Sequence, residues 1–162
     1  QMGLGLHLYL ELWDGKEQLN HQILESIYTK YPLIEKNSFS NSLLSLLKLD
    51  ELQDFFQDLR LSSFKIYKEF PIALENKDSW LSGIIDALWM KDKNHFVILD
   101  WKTTFHMKSL KSQQSLDKIS KQLCLYRESF RKLSHVKIDL MAIGIDFKKE
   151  RSEVIWSQFI ES

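Results

Sequence analysis

Hydrophobic and polar positions follow two different periods along the chain, and the change falls near residue 64. Before it, apolar residues recur at helical spacing. Residues 3–13 (GLGLHLYLELW) place Leu6, Tyr9, Leu10 and Trp13 on one face, and Asp14-Gly15 ends that helix. Residues 16–30 repeat the pattern with Leu19, Ile23 and Ile27, with Tyr28 beside them, until Pro32 breaks the chain. A polar patch, Glu35–Asn41, leads into the apolar segment Ser42–Lys48, and Asp50 is placed to cap a helix over Glu51–Leu59.

Beyond this point the period shortens to two. FKIYKEFPIAL (64–74) sets Phe64, Ile66, Lys68, Phe70 and Ile72 on one side and Lys65, Tyr67 and Glu69 on the other. Pro71 puts this strand at a sheet edge or a bulge. Residues 80–90 and 95–101 form two apolar, β-branched runs joined by Lys91-Asp92-Lys93-Asn94, the pattern of a hairpin. A polar loop from Thr103 to Ser115 precedes a helix over 116–133, whose apolar face holds Ile119, Leu123, Tyr126, Phe130 and Leu133. Strands at 137–146 and 153–159, joined by a charged turn at Lys148–Arg151, close the pattern. The order predicts an α/β (α+β) fold, a central mixed five-stranded sheet flanked by helices. A helical segment at 1–63 and an αβ core at 64–162 make one domain over 1–162.

Composition narrows the class. The chain's 162 residues are enough to bury a real core. No apolar run reaches the roughly 18–20 residues of a membrane helix, and the start carries no basic leader, so the chain reads as soluble and free of membrane. The single cysteine, Cys124, excludes an internal disulfide and a four-cysteine iron–sulfur cluster, and fits a cytoplasmic protein. Net charge is zero, but it is segregated. Residues 1–63 hold 5 basic against 9 acidic side chains, whereas residues 101–137 hold 9 basic against 2 acidic. Lys118 and Lys121 belong to that basic zone. Such a zone suits an anionic polymer, although a solvated helix face has the same composition. Overall neutrality implies that a partner shares the grip on any nucleic acid.

The candidate chemistry lies in the hairpin. Asp86 interrupts GIIDALWM, and Asp100 closes FVILD just before Trp101 and Lys102. A carboxylate in an apolar strand is costly unless a cation compensates it. Asp100 and Lys102 share a strand face by alternation. Two acids and an amine on one hairpin make either a divalent-metal site with a charged helper or a buried salt-bridge cluster. His7, on the first helix, is a core histidine or a metal ligand. Glu69 is the one acid within the first strand, and Gln122 stands one turn before Tyr126 on the late helix.

Taken in order, these residues resemble the PD-(D/E)xK nuclease superfamily, and within it the C-terminal nuclease domain of RecB and AddA. GLGLHLYLELW resembles that family's first helix, SGIIDAL its G-x-(I/V)-D strand, VILDWKT its D-(Y/W)-K-T signature, and Gln122–Tyr126 its Q-x-x-x-Y helix. The resemblance implies a restriction-endonuclease-like core and a Mg²⁺- or Mn²⁺-dependent DNA nuclease of exonuclease type, serving DNA end processing and recombinational repair. It implies catalytic roles for Glu69, Asp86, Asp100 and Lys102. It also implies metal ligation by His7, Asp86, Asp100 and the backbone carbonyl of Trp101. Gln122, Tyr126, Lys118 and Lys121 would contact substrate, single-stranded DNA ends delivered by a helicase domain or subunit of an AddAB/RecBCD-like complex. No G-x-x-x-x-G-K-[ST] pattern occurs in this chain, so any motor lies outside it. The alternative is a catalytically silent DNA- or partner-binding module of the same fold.

Overall fold

The computed structural model describes residues 1–61, 65–76, 79–130 and 135–159. Four α-helices come first: α1 (Met2–Leu12), α2 (His21–Lys30), α3 (Lys36–Leu46) and, after a 3₁₀ turn at Asp50–Leu52, α4 (Gln53–Arg60). Three strands follow, β1 (Ile66–Asn76), β2 (Ser79–Asp92) and β3 (His95–Thr104), then α5 (Met107–Leu110) and α6 (Gln113–Glu128). Strands β4 (Lys137–Asp146) and β5 (Arg151–Gln158) complete one sheet in the order β1-β2-β3-β4-β5. Only β3 and β4 run parallel, so the α5–α6 segment must carry the chain from one end of the sheet to the other. The mixed five-stranded sheet flanked by helices is as expected.

Local chemistry explains where the elements differ from expectation. Helix α2 starts at His21 rather than at 16, because the Asn20 side chain accepts from the Ile23 amide (3.0 Å) and fixes the N-terminus there. The polar patch at 35–41 is helical: the Glu35 carboxylate accepts from Asn37 and Ser38 amides and opens α3. Asp50 caps nothing and lies inside the 3₁₀ turn. The loop at 103–115 holds the end of β3, the short α5 and the start of α6, capped by Ser112. Pro71 does sit on an edge strand. Phe64 and Leu133, expected on apolar faces, lie outside the described residues.

Two cores sandwich the sheet. One joins α1–α4 to Ala87, Trp89, Val97, Leu99, Trp101, Met141, Ile143 and Ile145. The other joins Ile119 and Leu123 of α6 to Ile85, Leu88, Ile98, Ile138, Leu140 and Ala142. Strand β4 is buried from Ile138 to Asp146, covered on both faces as a parallel partner usually is. Glycine lets α1 reach the sheet: a Cβ on Gly3 would stand 2.6 Å from Thr103 Oγ1.

Asp146, fully buried at the end of β4, holds the neighbouring turns together. Its carboxylate accepts from the amides of Met107, Lys148 and Lys149, each at 3.1 Å. Replacing Asp146 by Ala removes the acceptor of three amides, of which the bond from Met107 is buried, and is expected to cost about 2–4 kcal/mol in urea unfolding.

Candidate active site

The site forms where the sheet forks. Ladder pairing between β2 and β3 runs from Asp92↔His95 to Ala87↔Leu99 and stops there. Beyond it, β2 stays with β1 as far as Asn76↔Ser79, while β3 stays with β4 as far as Thr104↔Asp146. Asp86 and Asp100 stand opposite each other at the first missing rung. The Trp101 amide, left without a strand partner from β2, donates to Asp86 Oδ2 at 2.7 Å.

A second irregularity coincides with the fork. Lys68↔Ala87 and Phe70↔Ile85 are paired in step, with no rung joining Glu69 to Asp86 between them. Residues two apart in a strand should share a face. Here Lys68 and Ala87 face the α1–α4 layer, whereas Phe70 and Ile85 pack with α6. Both strands reverse their faces at this row, and Glu69 absorbs the reversal with φ of +48°, a left-handed conformation uncommon outside glycine. The uninterrupted alternation expected over 64–72 is therefore corrected: Ile66 and Phe70 belong to opposite cores.

The result is a row of three acids, Glu69, Asp86 and Asp100, on three neighbouring strands. From α1, His7 Nδ1 lies 3.5 Å from Asp86 Oδ1 and 3.9 Å from Glu69 Oε1. Among the described residues, His7, Glu69 and Asp86 form the one group whose ligand atoms all lie within 4.8 Å of each other. Asp100 stands outside that trio, differing from the expected His7–Asp86–Asp100 grouping, because the Lys102 ammonium claims its carboxylate. Lys102 Nζ donates to Asp100 Oδ1 at 3.0 Å and to Gln122 Oε1 at 3.0 Å. Asp100 Oδ2 is 2.8 Å from the same ammonium, but off the hydrogen-bond angle, and has no hydrogen-bond partner although buried. Trp101 enters the site through its backbone, its indole packing 6.2 Å from Phe55 in the core.

Helix α6 closes the α6 side of the fork. Gln122 Nε2 donates to the Tyr126 hydroxyl at 2.6 Å, and the Tyr126 ring lies on Gly83, where a Cβ would come within 3.1 Å of it. This is the physical reason for a glycine three residues before Asp86. Lys118 and Lys121, both exposed, share with Gln122 and Tyr126 the wall of a mostly apolar groove of about 450 Å³ between α6 and β1–β2.

The fork stores electrostatic cost. Burial, then the charge of Asp100, pushes the Asp86 carboxyl up to about 6, against the pull of His7, the Trp101 amide and Lys102. Burial also raises Asp100, opposed chiefly by Lys102, and raises Glu69. Lys68 is a half-buried cation on the apolar side of its strand, driven down to about 8 by burial. Its position inside the Ile66–Phe70 alternation is a signal that pattern reading passed over. His95 and the buried Asp139, 2.6 Å apart at the opposite end of β3, were likewise not singled out.

A mixed sheet that forks around three carboxylates and a lysine defines a restriction-endonuclease-like core. The chain belongs to the PD-(D/E)XK nuclease superfamily, whose family description it matches over residues 1–154. That is a superfamily of phosphodiester hydrolases that generally use divalent metals. No curated protein sequence matched the chain. Among solved structures it is similar to one titled "Crystal structure of SSO0001", at 15% identity and a TM-score of 0.36, over 84% of this chain. It spans 60% of the length of that structure. Among the described residues, no helix is long and apolar enough to cross a membrane.

The raised Asp86 value has a stability consequence. With the folded value near 6 and the ordinary one at 3.8, the folded chain keeps a proton that the unfolded chain has lost between those values. Stability therefore falls as pH rises through that window, and the penalty is complete above it. In chelator, Asp86→Asn is expected to be more stable than wild type by about 1–3 kcal/mol at pH 7.5, and by almost nothing at pH 4. Urea unfolding at the two pH values measures this, and an unstabilised variant at pH 7.5 refutes it.

Proposed function

We propose that the chain is a Mg²⁺- or Mn²⁺-dependent deoxyribonuclease that hydrolyses phosphodiesters at single-stranded DNA ends. The observation that carries this reading is the acid row Glu69–Asp86–Asp100, with His7 on one side and Lys102 on the other. The donor set fits such an ion. Carboxylate oxygens and one imidazole suit hard and borderline divalent cations, and the buried Asp100 Oδ2, in ion contact with Lys102 at 2.8 Å, makes no hydrogen bond. His7, Glu69 and Asp86 would hold the ion, with Asp100 and the Trp101 carbonyl beside them. When bound, it supplies charge neutralisation at the scissile phosphate and a water of lowered pKa.

The chain's own groups do the rest. An ammonium has three donors. Lys102 commits one to Asp100 and one to Gln122, leaving one for a phosphate oxygen or the attacking water. Asp100 and Gln122 thus aim the lysine, so that it meets charge developing as water attacks phosphorus and the 3′ oxygen departs. Glu69, kept above the usual carboxylate range by burial, is suited to orient a water. Lys118 and Lys121 supply charge for the backbone of the bound strand, and Tyr126 and Gln122 wall its path. The motif resemblance supports an AddA/RecB-like assignment, the nuclease part of a cytoplasmic helicase–nuclease in DNA end processing. Zero net charge agrees with a motor partner that delivers the strand.

Cleavage of labelled single- and double-stranded DNA with Mg²⁺ or Mn²⁺ tests this. Asp100→Ala and Lys102→Ala are expected to slow cleavage at least about a hundredfold. Wild-type rates in both variants would remove the assignment. DNA binding without turnover by the wild type would favour the silent module instead.

A further inference from the structure

The His7–Glu69–Asp86 group is assembled from a helix and two strands, and something must fix the helix against the strands. Helix α1 has no basic residue in its last turn, and its final carbonyls lack helical partners. Lys68 supplies the missing donors from β1. Its ammonium donates to the Glu11 carbonyl at 3.2 Å and to the Trp13 carbonyl in a still closer contact. Glu11 lies one turn after His7 on the same helix, and Lys68 immediately precedes Glu69. One side chain therefore ties the element that carries the imidazole to the strand that carries the facing carboxylate.

The tie also acts on the reversal at Glu69. On one side of that residue, Lys68 is pulled toward α1. On the other, Phe70 is seated in the opposite core, its ring stacked 6.2 Å from Phe130. Anchors on opposite faces, either side of a residue with φ of +48°, hold it in a conformation it would otherwise leave. Without the α1 anchor, the backbone at Glu69 can relax into the ordinary extended region, and its carboxylate then turns away from His7.

We propose that Lys68 is a positioning residue for the metal group: by capping α1 and pinning the reversal in β1, it sets the spacing between His7 and Glu69. This rests on the reading that His7, Glu69 and Asp86 take a divalent ion. Residues that orient metal ligands from behind typically change affinity by about ten- to a hundredfold when removed.

The test is Mn²⁺ affinity, read from the electron paramagnetic resonance of free Mn²⁺, on folded wild type, Lys68→Met, Lys68→Arg and Asp86→Ala. Urea unfolding in chelator is measured alongside. Lys68→Met is expected to bind Mn²⁺ about tenfold more weakly or worse. Lys68→Arg, which keeps the charge and the donors, is expected to recover most of the affinity. Lys68→Gln, with a single amide in place of the ammonium, serves if the Met variant fails to fold, and falls between them. A merely structural lysine would lower stability and leave the affinity of the folded protein unchanged. Wild-type affinity in any folded Met or Gln variant overturns the proposal. Absence of Mn²⁺ uptake by wild type overturns the metal reading and this proposal with it, whereas uptake lost only in Asp86→Ala overturns the role of Lys68 alone.

Discussion

One hydrogen bond marks the point around which this fold is organised, that from the Trp101 amide to the Asp86 carboxylate. In an unbroken antiparallel sheet that amide would look for a carbonyl on β2. Here the rung is missing, and a buried amide without a partner is costly, so the carboxylate takes the carbonyl's place. The substitution has two effects at once. It lets β2 leave β3 without orphaning the amide, which opens the fork. It also holds Asp86 in the fork, facing His7, rather than out in water. Both cores bear on this geometry: past the fork, β1–β2 and β3–β4–β5 share no ladder rungs among the described residues, and the α1–α4 layer packs on one face and α6 on the other.

The electrostatics make such an arrangement costly. Three acids in one row repel each other, and burial raises all three carboxyls. A sheet selected for stability alone would place apolar side chains there. Lys102 offsets part of the cost, but its direct contacts are with Asp100 and Gln122, and the side chain set against Asp86 and Glu69 is the His7 imidazole. A divalent cation held there would relieve the remaining negative potential. The strained backbone at Glu69 and the charged row thus coincide at one place, where local rules of strand formation are broken together.

Much of this was legible in the residues, for reasons that can be stated. Asp86 and Asp100 are visible because a charge inside an apolar run is expensive, and Lys102 because a strand alternates. The fork was not legible. Its cause is a missing rung, and no sequence period records a rung that fails to form. Glu69 was read as sharing a side with Lys65 and Tyr67, since alternation contains no term for a reversal, and a positive φ at glutamate has no compositional signature. The ends of helices were misplaced where a side chain acted as a cap without belonging to the usual set, as Glu35 does, or where a usual one, Asp50, failed to act. Lys68 stood on the apolar side of the alternation, but nothing there marked it as a cation with distant partners. Its partners, the carbonyls of α1, are separated from it by more than 50 residues and cannot be inferred from its neighbours.

The segregation of charge follows from the same architecture. The acidic N-terminal segment forms the layer on one face of the sheet, and the basic residues of α6 lie over the other. The acid row sits in the fork between them. A polyanion approaching from the α1–α4 face would meet net negative charge, whereas on the α6 side it would meet Lys118 and Lys121, which line an apolar groove together with Gln122 and Tyr126. Under the proposed activity phosphates would meet those lysines, whereas the apolar wall would favour exposed base or sugar surface, because a duplex buries its base faces by stacking. The chain from groove to lysine is continuous: Tyr126 hydroxyl, Gln122 amide, Lys102 ammonium, Asp100 carboxylate. What lies against Tyr126 therefore bears directly on where the ammonium points, and under the proposed activity the wall that would meet a strand also aims the group that would meet the scissile phosphate.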